Sequence, residues 1–257
     1  MEIVFSGSGN VATNLGLAFK AKGFTIKQIY SRSSQHAETL AAKLDAEYIS
    51  DISDIYMKAD FYFYALKDSA LKTTLQKIDM PSGIHVHTGG SIPMSEFEGL
   101  ASRFGVFYPV QTFSINKQID FTNVPICVEA CNLEVQKILL DLAGKISEKT
   151  YLMNSDQRKK LHLAAVFACN FSNYMYDISS KILEDSGITF DIIKPLIIET
   201  AEKINTLTPY AAQTGPAIRM DMKTISKHIS LLGRNSEYRK IYKMLTKSIN
   251  KRHKRSY

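Results

Sequence analysis

The stretch VFSGSGNVATNLGLAFKAKG, Val4 to Gly23, places Gly7, Gly9 and Ala12 at the spacing G-x-G-x-x-A close to the start of the chain. Glu2 to Ser6 reads as a short apolar strand and Gly7-Ser8-Gly9 as a tight turn. Asn10-Val11-Ala12 then opens a helix whose buried face is Val11, Leu15 and Ala18 or Phe19. In that setting Gly7 permits the turn, Gly9 lets a pyrophosphate approach the backbone, and Ala12 keeps helix and strand close. The free amides of the first helical turn, backed by the helix dipole, favour a diphosphate. Gly7, Ser8, Gly9, Asn10 and Val11 are therefore candidate cofactor contacts.

The next strand selects the dinucleotide. NAD sites carry Asp or Glu at its end, roughly 20 residues beyond the loop, to hold the ribose 2′-hydroxyl. Here the strand reads IKQIYSRSS, with Ser31 in the acid's place, followed by Arg32 and Ser33. A guanidinium flanked by hydroxyls binds a 2′-phosphate that an acid would repel. The cofactor expected is NADP, held there by Ser31, Arg32 and Ser33.

Further strands end at the same edge. FYFYALKDSAL ends at Ala65-Leu66, where a small residue lets the backbone pass close to a cofactor ribose, and Asp68 or Ser69 should cap the helix that follows. HVHTGGS brings Thr88, Gly89, Gly90 and Ser91 to the end of its strand, a setting for a nicotinamide or a small polar substrate. His87 is a candidate general acid on the ordinary titration range of imidazole, its alternative being a hydrogen-bonded structural role. Gln111, Thr112 and Ser114 in FGVFYPVQTFS either line a pocket or satisfy local backbone.

Organisation follows from the alternation of apolar runs with helical stretches. Strands are expected at Ile3-Ser6, Ile26-Ser31, Glu47-Ile49, Phe61-Leu66, Ile84-Thr88, Val106-Pro109 and Pro125-Glu129, the pattern of a parallel sheet wrapped by helices. After KTYLMNSDQRKK the β alternation stops and long helical patterns take over, with Gly187, Gly215-Pro216 and Gly233 as punctuation. The expected architecture is α/β: a doubly wound sheet over residues 1–152, then an all-helical domain over 153–257. In the helical part, His162, Asn170 and Asn173 interrupt an apolar run; a buried asparagine there links helices or faces substrate. Arg219, Asp221 and His228 suggest a network that pins helices or builds an interface.

Composition narrows the class. Of 257 residues, 45% are hydrophobic and 22% charged, which excludes a disordered chain. The start MEIVFSGSG lacks the basic and apolar regions of a secretory signal, and no uncharged apolar run approaches the ~20 residues of a membrane helix. Three cysteines without a C-x-x-C pair argue against a disulfide scaffold or zinc site and for reduced thiols in the cytoplasm; no metal is expected. Much of the +7 net charge sits in the tail NKRHKRSY, read as a solvated terminus rather than a nucleic-acid arm.

Taken together, GSGNVA, YSRS, HTGGS, YPVQTFS, HLAAVFACNFSNYMY and QTGPAIRMDMKTISKH carry a resemblance over essentially the full length. The chain resembles the Rossmann-like bacterial proteins with a helical C-terminal domain of unknown function that are classed as NADP oxidoreductases. It is also similar in architecture to pyrroline-5-carboxylate reductases and β-hydroxyacid dehydrogenases. That resemblance implies pairing of helical domains into a homodimer, an active site between domains, and hydride transfer between NADPH and a small polar carbonyl, imine or hydroxy-acid-like substrate. It implies substrate contacts for Thr88 to Ser91 and for Asn170. The dehydrogenases carry a lysine four residues before that asparagine; here Val166 stands there, and His162, two turns before Asn170, is left to substitute. Val166 also sustains the alternative of a non-catalytic NADP-binding sensor or partner-binding protein.

Overall fold

The computed structural model describes residues 1–234 and 236–254, so Arg255, Ser256 and Tyr257 of the basic tail lie outside the described residues. Eight strands form one sheet: β1 (Glu2–Ser6), β2 (Thr25–Tyr30), β3 (Glu47–Ile49), β4 (Phe61–Tyr64), β5 (Ile84–His87), β6 (Phe104–Pro109), β7 (Ile126–Ala130) and β8 (Thr150–Leu152). Their order is β3-β2-β1-β4-β5-β6-β7-β8. All neighbours are parallel except β6 and β7, which pair antiparallel. The order reverses between β1 and β4, and in such sheets ligands bind outside the carboxyl ends of the strands at that switch point.

Alternation along the strands divides the core. Helices α1 (Asn10–Ala21), α2 (Ser34–Leu44) and α4 (Leu133–Ile146) bury Leu15, Phe19, Leu40, Leu44, Leu139 and Leu142 against one face, with Phe5, Phe63, Val86 and Phe107 of the strands. The other face carries Val4, Tyr62 and Tyr64 against Leu71 and Leu75 of α3 (Asp68–Leu75) and against Phe97. The inner strands β1, β4 and β6 are mostly apolar on both faces, as burial on two sides requires.

The doubly wound architecture expected from sequence is present, with differences in detail. Neither α4 nor β8 was among the expected elements; α4 is the amphipathic segment LEVQKILLDLAGKI, and β8 lies in the stretch read as a boundary. β6 starts at Phe104, two residues early, because Gly105 lets the chains close: a Cβ there would fall 2.3 Å from the Glu129 carbonyl oxygen. The expected side-chain cap of α3 is absent, since its N-cap residue is Lys67 and makes no such bond.

The chain divides into two compact units, Met1–Asn170 and Phe171–Tyr257. The first includes α5 (Ser155–Ala165), whose start is set by a capping box between Asn154 and Gln157, and all but the last residue of a π-helical turn over Val166–Phe171. The second contains α6 (Ser172–Glu184), α7 (Lys194–Glu202), α8 (Pro216–Arg219), α9 (Met222–Leu231) and α10 (Ser236–Lys254). Gly187, Gly215 and Gly233 all take positive φ where the chain turns between helices. Among the described residues, Arg219, Asp221 and His228 are not bonded to one another. Asp221 caps α9 through the Thr224 amide and hydroxyl, and His228 Nδ1 pairs with the Tyr242 hydroxyl at 2.8 Å. Among the described residues, no helix is long and apolar enough to cross a membrane.

Candidate active site at the carboxyl edge of the sheet

The glycine loop leaves β1 under tight constraint. Gly7 donates its amide to the Tyr30 carbonyl at 2.7 Å and has φ +117°, and a Cβ there would lie 2.2 Å from the Ala65 carbonyl oxygen. Both conformation and contact demand glycine. Gly9 caps α1 with extended backbone and no side chain in the cap, and a Cβ there meets nothing within 4 Å. The first turn of α1 carries no acidic residue. Its amides thus open onto free space with the dipole behind them, which is what a pyrophosphate requires. The Asn10 side chain points elsewhere. Its Nδ2 donates to the Phe113 carbonyl at 2.8 Å, and Asn14 Nδ2 donates to the Ser114 carbonyl at 3.1 Å. The segment after β6, left open by the sequence, is thereby tied to the start of α1.

The end of β2 meets this loop. The Ser8 hydroxyl donates to the Ser31 hydroxyl at 2.9 Å. Arg32 is exposed and, among the described residues, forms no salt bridge. Ser33 is the N-cap of α2, its hydroxyl accepting from the His36 amide at 3.5 Å. The end of β2 thus brings a second helix start, an exposed guanidinium and two hydroxyls beside the glycine loop. The observed residues fit NADP: an open amide cradle, and no acid at the end of β2.

Ala65 and Leu66, both half-buried, follow β4, and Thr88 is 7% exposed at the end of β5. The loop beyond Thr88 is held by a residue the sequence reading missed. Arg158 of α5 is fully buried; its Nη1 donates to the carbonyls of Gly89 at 3.1 Å, Gly90 at 3.1 Å and Ile92 at 2.6 Å. Its Nη2 reaches Glu129 Oε2 and the Ser155 hydroxyl, each at 2.9 Å. One planar donor fork thus fixes the glycine loop, the end of β7 and the start of α5 together. The only signal available in sequence was an arginine one turn into a capped helix. Beyond it, Tyr108 and His162 press on Gly90, and the Ser91 hydroxyl donates to the Asp68 carboxylate.

His87 does not sit where a general acid must. It is wholly buried, its ring stacked on Phe97 at 5.8 Å, with Nδ1 accepting from the Gly89 amide at 3.2 Å. Burial first, and the Arg158 charge second, push its pKa down to about 3, against the pull of a Pro93 carbonyl. His85 beside it is also lowered by burial, between the Tyr64 hydroxyl and the Pro81 carbonyl. The sequence expectation of proton transfer by His87 is corrected to a structural role. Below the ordinary imidazole value of about 6.5 the unfolded chain takes up a proton that folded His87 refuses. Stability should be flat above pH 6.5 and fall as pH drops toward about 3, by up to ~1.4 kcal/mol per pH unit for each such imidazole. Urea melts from pH 4.5 to 8 should show this slope, reduced but not abolished in His87→Leu because His85 remains; an unchanged slope would refute the assignment.

Asn170 lies in the π-helical turn and is exposed, as is Asn173, so the buried asparagine link expected between helices is absent. A π-turn at this place is a local irregularity of the kind found at functional sites.

Residues 2–86 match the family described as NADP oxidoreductase coenzyme F420-dependent, and residues 124–249 match a domain of unknown function, DUF2520. No protein of curated function matches the chain. Among solved structures, a putative NADP oxidoreductase from Bacteroides fragilis is 43% identical, with a TM-score of 0.94 over 97% of this chain and 98% of that one. A 1-pyrroline-5-carboxylate reductase from Streptococcus pyogenes is 14% identical, with a TM-score of 0.66 over 98% of each chain. A reductive aminase from Aspergillus terreus, in complex with NADPH and ethyl-5-oxohexanoate, is 13% identical, with a TM-score of 0.71 over 96% of this chain and 92% of that one. The last two share the fold.

Proposed function

We propose that this chain, which belongs to the NADP oxidoreductase-type family of that Bacteroides protein, is an NADPH-dependent reductase of a small polar carbonyl, imine or hydroxy-acid-like compound. The observation that carries the reading is the open amide cradle of Gly7 to Ala12 beside Ser31, Arg32 and Ser33, with no acid at the end of β2. Gly7, Ser8, Gly9, Asn10 and Val11 would hold the pyrophosphate by backbone amides, and Ser31, Arg32 and Ser33 the 2′-phosphate. Ala65, Leu66 and Thr88 would border the ribose and nicotinamide. Ser91 and Asn170 would orient the substrate by hydrogen bonds. Bound NADPH supplies the hydride; the protein supplies position and a proton. The matching family's description names NADP and coenzyme F420 together, and the Ser31-Arg32-Ser33 cluster speaks for NADP.

Calorimetric titration with NADPH and, separately, NADH tests this. NADPH should bind at least ~10-fold more tightly, the worth of one or more charge-assisted hydrogen bonds to the 2′-phosphate. Binding of neither nucleotide would remove the reading. The rival, an NADP-binding protein without turnover, has Val166 in its favour and would be ended by NADPH oxidation with any carbonyl or imine.

The same proposal includes a homodimer. Among the described residues from Phe171 onward, only Ile178, Ala217 and Ile225 are buried apolar side chains, whereas Ile192, Leu196 and Ile198 are 66%, 64% and 57% exposed. So little buried surface does not sustain a helical unit, and a second copy of the same unit is the partner whose apolar face matches. Light scattering should give twice the chain mass, and Leu196→Asp should halve it; a monomeric wild type would refute the dimer. Cytoplasmic residence, with Cys127, Cys131 and Cys169 reduced, completes the proposal.

A further inference from the structure

A hydride added to a carbonyl or imine needs a proton, and Ser91, Asn170 and His87 do not supply one. Ser91 already gives its hydroxyl hydrogen to Asp68, an amide does not release a proton at neutral pH, and His87 is buried and neutral. A different pair faces the glycine loop. The Tyr108 hydroxyl of β6 and His162 Nδ1 of α5 lie 3.1 Å apart, although 54 residues separate them in sequence. Their rings meet edge to face, with centroids 6.1 Å apart. A Cβ on Gly90 would fall 2.6 Å from His162 Nδ1 and 2.9 Å from Tyr108 Cζ. The pair thus rests directly on the backbone just beyond β5, at the sheet edge where a Rossmann fold receives its ligand. Both side chains are half-buried, so each is ordered yet reachable. Arg158, one turn before His162, fixes the platform beneath them.

We propose that Tyr108 and His162 form the proton-donating couple of this site, the phenol protonating the substrate and the imidazole restoring the phenol. The inference rests on the reductase reading above. The substrate carbon accepts a hydride from NADPH, and the π pair moves to the substrate oxygen or nitrogen, which takes the Tyr108 proton. The phenolate then takes the Nδ1 proton of the His162 imidazolium, and the neutral imidazole is reprotonated from solvent. NADPH is the only species oxidised and the carbonyl or imine the only one reduced.

The surroundings suit these roles. Burial, and secondly the Cys127 thiol paired across from it on β7, push the Tyr108 phenol up, while the Arg158 charge opposes. Tyr108 therefore keeps its proton through the neutral range until a substrate anion claims it. Histidine is the side chain whose ordinary titration lies near working pH, which suits the refilling member of a couple. Of the charged groups near the pair, Arg158 acts on the Tyr108 phenol and is itself paired with Glu129, and the Asp68 carboxylate is held by Ser91 in the loop that carries Gly90.

The test reads protons. NADP and NADPH are titrated calorimetrically at pH 6.5 in buffers of different ionisation enthalpy, which gives protons released per nucleotide bound. The oxidised nicotinamide is cationic and should discharge an imidazolium beside it; the reduced ring should not. The wild type should release measurably more protons with NADP than with NADPH, because a like charge disfavours a protonated imidazole. The 2′-phosphate, a monoester that titrates near pH 6, is common to both nucleotides and cancels. His162→Gln should abolish the difference while leaving both nucleotides bound, and Tyr108→Phe should move the pH at which it peaks. A purely structural Tyr-His contact would not make proton release depend on the oxidation state of the ring. Equal release in the wild type, which needs no variant to fold, overturns the proposal, as does persistence of the difference in His162→Gln. Failure of both nucleotides to bind is a separate result, visible in the binding heat, and it removes the reductase reading itself.

Discussion

Arg158→Met should lower stability by ~3–5 kcal/mol, the cost of leaving a buried charge and its partners unpaired. In the native chain, Arg158 satisfies three loop carbonyls, Glu129 and Ser155, all from a position with no exposure to water. Methionine of similar length fills the volume but donates nothing, so the Glu129 carboxylate, with a side chain only 14% exposed, loses its counter-charge. The Gly89 to Ile92 carbonyls lose their donor together. Lysine should recover only part of the loss, because an ammonium does not reproduce the guanidinium fork across two groups of acceptors. Urea unfolding of the variant and of Arg158→Met/Glu129→Gln checks this. The double variant should be more stable than the sum of the single losses predicts, since the stranded carboxylate is gone. A stability change under about 1 kcal/mol in the single variant would show that the ion pair only offsets its own desolvation.

Arg32→Asp should reverse the nucleotide preference. Arg32 is exposed beside the Ser31 hydroxyl and the start of α2. Removing the guanidinium forfeits its charge-assisted hydrogen bonds, and the new carboxylate repels a 2′-phosphate while accepting from a ribose 2′-hydroxyl. NADPH affinity should fall roughly 10- to 100-fold, with NADH affinity unchanged or improved. The loss should weaken at high salt, since the site is open to solvent. Calorimetry with both nucleotides checks it, and an unchanged ratio would take the 2′-phosphate away from this loop.

Much of this was legible before any coordinates. The glycine loop is a local device: turn, cap and helix start all depend on residues within one short stretch. G-x-G-x-x-A therefore carries the conformation of Gly7 and the open start of α1 in its own letters. The serine-arginine-serine run at the end of β2 is equally local. Alternating apolar runs then specify a sheet covered on both faces, because burial on two sides demands continuous hydrophobic strands.

What the letters do not contain is how polar side chains far apart in the chain satisfy one another. His87 looks catalytic as a histidine after a strand and proves to be buried against Phe97. Asn170 and Asn173 look buried and are exposed. Arg158 drew no reading from the sequence, yet it holds residues on β7 and beyond β5. Most of the strands and the conformation of the glycine loop follow from hydrophobic period and backbone conformation, both short-range properties of the chain, whereas the strand order and the antiparallel pairing of β6 with β7 are tertiary. The clamp at Arg158 and the couple of Tyr108 with His162 exist only once β5, β6, β7 and α5 are packed. There, the cost of burying unpaired polar groups decides which side chains must meet.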